Sequence, residues 1–89
     1  MAKVTLIDFW APWCGPCKAM VPILKEIEEE MKENKEFEVW EINVDDEQGK
    51  AREFGVMGIP TYVVMKDGKE VGRQVGMTSK ANLVKLIKS

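Results

Sequence analysis

The chain has no histidine and only two cysteines, Cys14 and Cys17. Zinc sites in proteins use four protein ligands, or three and a water. Two cysteines without histidine cannot close such a site within one chain, which leaves only a centre shared between two copies. A secreted disulfide scaffold of 89 residues would carry more cysteines than this. No apolar run approaches the length of a membrane span. The start, Met1-Ala2-Lys3-Val4, passes straight into a strand pattern without signal-peptide architecture, so export is not expected. A formal charge of −2 and the lack of a basic stripe argue against nucleic acid as a partner. There are no repeats, linkers or low-complexity segments. The length allows one domain, residues 1–89, with a modest core.

What is present concentrates in one stretch, Leu6-Ile7-Asp8-Phe9-Trp10-Ala11-Pro12-Trp13-Cys14-Gly15-Pro16-Cys17-Lys18. Val4–Phe9 reads as a central strand covered on both faces, interrupted only by Asp8. From Cys14 to about Asn34, Met20, Leu24, Ile27 and Met31 recur at helical spacing, with Ile23 beside them. Glu26, Glu28, Glu29, Glu30 and Glu33 read as the solvated face, and Pro22 as an interior break in the hydrogen bonding. The two thiols are three residues apart on the first turn of that helix. This separation suits a disulfide, whose Cα atoms must lie within about 7 Å. The helix N-terminus favours a thiolate on Cys14, and the thiolate is the nucleophile. Pro16 fits the first turn, and Gly15 is expected to let the turn close without a Cβ clash. Asp8 is read as a buried carboxylate beneath the thiols rather than a helix-capping or loop aspartate. Burial should raise its pKa.

The remaining chain is a set of short elements. Phe37–Val44 is a second strand, parallel to the first because a helix crosses between them. Asp45 or Asp46 is expected to cap a short helix running to Phe54 and stopped by Gly55. Pro60–Met65 and Lys69–Val75 form a hairpin across Asp67-Gly68. Thr78 or Ser79 caps a last helix with Leu83, Leu86 and Ile87 inward. Glu38 and Glu41 on the second strand would discourage edge-to-edge pairing. Trp10 and Trp40 read as packing residues, and Lys18 as pointing to solvent.

Trp13-Cys14-Gly15-Pro16-Cys17-Lys18 after Asp8-Phe9-Trp10-Ala11 resembles the active site of the thioredoxin family, and Gly58-Ile59-Pro60-Thr61 is similar to a second motif of that family. The resemblance runs from about Val4 to Leu86. It implies an α/β chain with a minimal thioredoxin fold, β-α-β-α-β-β-α, whose four-stranded mixed sheet has the order 2-1-3-4. The strand and helix that usually open the family's fold are not in this sequence. By the same resemblance, Pro60 is cis and lies against the cysteines, and Trp13, Gly15, Pro16, Ile59 and Gly76 flank the groove for target proteins. The activity implied is a cytoplasmic, monomeric protein-disulfide reductase acting through Cys14 and Cys17, assisted by Asp8. It would act on disulfide-containing target proteins, be recycled by a thioredoxin reductase, and need no cofactor and no metal. A glutathione-dependent, glutaredoxin-like enzyme and a non-enzymatic thioredoxin-fold subunit are the alternatives. One departure stands out: where the family often has a lysine near the buried aspartate, this chain has Glu41.

Overall fold

The computed structural model describes residues 2–89. Along the chain run β1 (Val4–Trp10), α1 (Gly15–Met31), β2 (Phe37–Asn43), α2 (Gln48–Glu53), β3 (Thr61–Lys66), β4 (Lys69–Val75) and α3 (Lys80–Lys88). One four-stranded sheet has the order β2-β1-β3-β4, as the sequence predicts. β1 pairs with β2 in parallel, and β3 pairs antiparallel with both β1 and β4. The helical crossover makes the first pairing parallel. The two-residue turn Asp67-Gly68 makes the last antiparallel, with both residues at positive φ, 52° and 81°.

Side chains alternate across β1, so its two faces belong to two cores. Leu6 joins Met20, Leu24, Ile27, Tyr62, Val64, Leu83 and Ile87 in the layer covered by α1 and α3. Ile7 and Phe9 join Ile42, Val63 and Met65 on the opposite face, with Phe54 and Trp40 packed against them. Asp8 lies on the same face as Leu6, beneath α1.

Several ends differ from the sequence reading, each for a local reason. α1 stops at Met31 rather than near Asn34, because the Asn34 side chain accepts the Glu36 amide and opens a turn into β2. α2 is not capped by Asp45 or Asp46; Glu47 takes the cap position without a side-chain bond. Asp45 is instead held by the Trp13 indole N–H at 2.9 Å. Of the two candidates for α3, Ser79 is the cap, accepting from the Asn82 amide. Glu38 is not a free edge charge. Its carboxylate accepts from the Ala2 amide at 2.8 Å and the Thr5 hydroxyl at 3.3 Å, and the Ala2 bond holds it below the ordinary carboxylate range. Glu41 alone of the pair stays exposed.

Candidate active site

The thiols sit where the sheet hands the chain to α1. Cys14 is the N-cap of α1, with extended backbone, and its Sγ accepts the Cys17 amide at 3.1 Å. An N-cap must satisfy amides that the helix leaves unpaired, and here a sulfur does so. Cys14 and Cys17 are joined as a disulfide with Cα atoms 5.2 Å apart. Both are nearly buried, at 4% and 6% exposure, so accessibility does not separate them. Their surroundings do. Cys17 lines a cleft of about 720 Å³ together with Asp8, Trp10, Lys18, Glu28 and Glu41. Cys14 does not line it.

Asp8 is 7% exposed and its Oδ1 has no hydrogen-bond partner among the described residues. Its pKa is raised to about 7, first by burial, then by the charges of Glu41 and Glu28. Glu41 is its cross-strand neighbour on β2. Glu28 is exposed, as the sequence reading expects, and it also lines the cleft. The signal is there in the spacing: 17, 21, 24 and 28 follow one another at helical intervals, so Glu28 continues the stripe of Cys17, Val21 and Leu24. Trp10 also does more than the packing expected of it. It lies against the cluster of Ala11, Cys14 and Cys17 and borders the cleft.

On the other side of the disulfide lies a smaller, apolar groove of about 400 Å³, lined by Trp13, Val44, Val56, Met57, Gly58 and Ile59. The Ile59–Pro60 bond is cis. Ile59 packs against the cysteine cluster. The Pro60 carbonyl accepts the Gly76 amide at 2.7 Å, and Gly76 sits at φ 87°, a conformation that favours glycine. Thus Ile59, Pro60 and Gly76 are brought together beside the thiols, while Trp13 stands out at 67% exposure. Gly15 and Pro16 are exposed at the start of α1. A Cβ on Gly15 would meet nothing within 4 Å, so no steric need for glycine exists there, contrary to the sequence reading. Two further rim residues escape the sequence reading: Met57, fully exposed just before Gly58, and Met77, exposed just after Gly76. Among the described residues no three His, Cys, Asp or Glu are grouped so as to hold a metal ion.

The thioredoxin family model matches residues 1–89. This chain belongs to the thioredoxin family. It is 46% identical over 84 residues to a thioredoxin of Bacillus subtilis, covering 94% of this chain and 79% of that one. Thioredoxin of Haemophilus influenzae is 44% identical over 82 residues, covering 92% and 75%. Among solved structures, mitochondrial thioredoxin 3 of Saccharomyces cerevisiae in its oxidised form superposes with TM-score 0.89 at 34% identity, over 99% of this chain and 79% of that one. A mutant thioredoxin of Halobacterium salinarum gives 0.86 at 37%, over 98% and 74%. With the Cys14–Cys17 pair in place, the protein is a thiol–disulfide oxidoreductase of the protein-disulfide reductase type. Membership of the thioredoxin family implies disulfide-containing targets and a reductase that restores the dithiol. No helix among the described residues is long and apolar enough to cross a membrane.

Proposed function

We propose that Cys14 attacks the target disulfide, Cys17 resolves the intermediate, and Asp8 accepts the proton that Cys17 must lose. The observation that carries this reading is the shared cleft wall: Asp8 and Cys17 line it together. The Cys14 thiolate attacks one sulfur of the target disulfide, forming a mixed disulfide, and the other target sulfur leaves as a thiolate and takes a proton. Asp8 removes the proton from the Cys17 thiol. The Cys17 thiolate attacks the Cys14 sulfur, the Cys14–Cys17 bond closes, and the second target thiolate departs and is protonated. Two electrons pass from the cysteine pair to the target, and a reductase returns them.

Three features support these roles. The Cys17 amide aimed at Cys14 Sγ and the N-terminus of a 17-residue helix both favour a Cys14 thiolate. A carboxyl with a pKa of about 7 is half ionised at neutral pH, where a base for a thiol is most useful. The apolar groove offers a target somewhere to lie. There Trp13, Gly15, Pro16, Ile59, Pro60 and Gly76 form the target-binding rim, extended by Met57 and Met77, and an extended target segment runs along the Ile59 backbone as an added strand. The chain works as one domain over residues 1–89, as a monomer, and in the cytoplasm. The lone cysteine pair suits a compartment where disulfides do not persist.

The test is a trapping experiment. Reduced Cys17→Ser, offered an oxidised protein substrate, should stall as a mixed disulfide at Cys14. Cys14→Ser should trap nothing and reduce nothing. Faster iodoacetamide labelling of Cys17 than of Cys14 at pH 7 in the reduced protein would reverse the two roles.

A further inference from the structure

Three buried polar atoms have no partner among the described residues: Asp8 Oδ1, Trp10 Nε1 and the Tyr62 hydroxyl. Buried polar groups are nearly always paired, with protein or with an ordered water. The three are not scattered. Asp8 and Trp10 are two residues apart on β1 and so share its α1 face. Tyr62 stands directly across from Asp8 in the β1–β3 register. Its ring packs with Leu6, Met20 and Leu24, in the layer between sheet and α1. Cys17 belongs to α1, over that same layer, and meets Asp8 and Trp10 at the cleft.

The chemistry of the three groups is complementary. An ionised carboxylate only accepts, an indole only donates, and a phenol does both. Tyr62 is fully buried in a nest of aliphatic side chains. A hydroxyl there is costly unless it is bonded. Besides the Trp10 indole and the lysines at the cleft rim, the other groups that face Asp8 supply no donor to its carboxylate. Glu41 from β2 and Glu28 from α1 are themselves acids, and Cys17 is the thiol to be deprotonated. Lys18, Lys25 and Lys32, with Glu29, line the cleft from the exposed side of α1.

We propose that Tyr62 is a positioning residue for the proton acceptor: its hydroxyl donates, through one bridging water, to the Asp8 carboxylate and steadies it below Cys17. The assignment of Asp8 as acceptor is the reading given above, and the coupling to Tyr62 is additional to it. Asp8 and Tyr62 already sense each other, since the Asp8 charge helps to raise the phenol's pKa, after burial. A donor to the carboxylate favours the charged form. Tyr62 therefore holds the Asp8 titration lower than burial beside two glutamates would leave it.

Tyr62 is the only tyrosine of the chain, which makes the experiment specific. The Asp8 carboxyl is titrated by carbon-13 NMR in the oxidised protein, in three forms: unmodified, Tyr62→Phe, and uniformly labelled with 3-fluorotyrosine. Removing the hydroxyl should move the Asp8 midpoint up by about one pH unit, a roughly tenfold change in proton affinity. Fluorination makes the phenol a stronger donor and should move the midpoint down. Fluorination keeps both the ring and the hydroxyl, so this arm stands even if Tyr62→Phe folds poorly. The lower limb of the pH–rate profile should move in the same two directions, and Tyr62→Phe should leave the profile of Asp8→Asn unchanged. Coincident Asp8 titrations in all three forms would overturn the coupling, as would a Tyr62→Phe shift that persists in the Asp8→Asn background. The carboxyl titration needs no turnover. A normal rate for Asp8→Asn would remove Asp8 as acceptor and still leave the coupling measurable.

Discussion

The disulfide divides two hollows of opposite character. Behind Cys17 is the larger one, walled by Asp8, Glu28 and Glu41 with lysines at its rim. Beyond Cys14 is the smaller one, walled by Trp13, Val44, Val56, Met57 and Ile59. The carboxylate hollow is suited to carrying a proton and the apolar groove to holding a polypeptide. Separating them lets the proposed acid–base group stay buried, with a raised pKa, while the proposed partner-facing groove has no charged residue in its wall. The division comes from one feature of sequence, the Cys-x-x-Cys spacing at a helix start. That spacing turns one sulfur toward the cap and the other toward the sheet.

The largest test of this division is Asp8→Asn. Turnover at pH 7 should fall by roughly 10²-fold, the scale of a lost general base, with KM for a protein substrate unchanged. Stability should move the other way. The folded pKa of Asp8, about 7, lies above the unfolded value near 4, so its contribution favours the fold below pH 4 and is lost as pH rises through 7. Asp8→Asn should therefore gain about 2–4 kcal/mol over the unmodified protein at pH 8, shrinking toward pH 4. Denaturant midpoints across that pH range read the difference; a mutant less stable at pH 8 would mean that the ionised carboxylate is well satisfied.

A change confined to the groove should have the complementary signature. Trp13→Ala combined with Met57→Ser should raise KM for a protein disulfide by about tenfold, a loss of about 1.4 kcal/mol. Reduction of a small aromatic disulfide should proceed as before. Equal loss on both substrates would break the division, because the groove would then be affecting the sulfur chemistry.

Smaller effects come from the two glutamates. Glu41→Gln and Glu28→Gln should each lower the Asp8 titration and shift the lower limb of the pH–rate profile to lower pH. Glu41 should have the larger effect, being the stronger of the two influences. Glu41→Lys should exceed Glu41→Gln in the same direction. The smallest change lies away from both hollows. Gly72 faces Leu86 closely enough that an added Cβ would displace the Leu86 side chain. Gly72→Ala should cost about 1 kcal/mol in a denaturant titration and leave both substrates' kinetics untouched.

Much of this is legible in the sequence because it is local. The Cys14–Cys17 spacing, the Asp67-Gly68 hairpin and the single carboxylate in an apolar strand each carry their meaning within a few residues. Asp45 shows where locality ends. Its position suggests a helix cap, but a tryptophan 32 residues earlier claims its carboxylate. Glu38 reads as an edge charge until the Ala2 amide and Thr5 are brought beside it. Glu28 sits within the exposed run Glu28-Glu29-Glu30, where composition hides which members border the cleft and counting from Cys17 finds Glu28. Met57 and Met77 look like core residues by type, and only the folded loop around Pro60 shows them facing outward.

β1 carries Asp8 and, like β3, it is bonded to neighbours on both sides and covered on both faces. Amides of Leu6 to Phe9 should then exchange with solvent only when the whole molecule opens, whereas those of β4 and α3 should exchange through partial openings. The proposed proton acceptor is thereby mounted on one of the two slowest-exchanging segments of the chain. Transient loosening of β4 or α3 would leave its alignment with the cysteines intact.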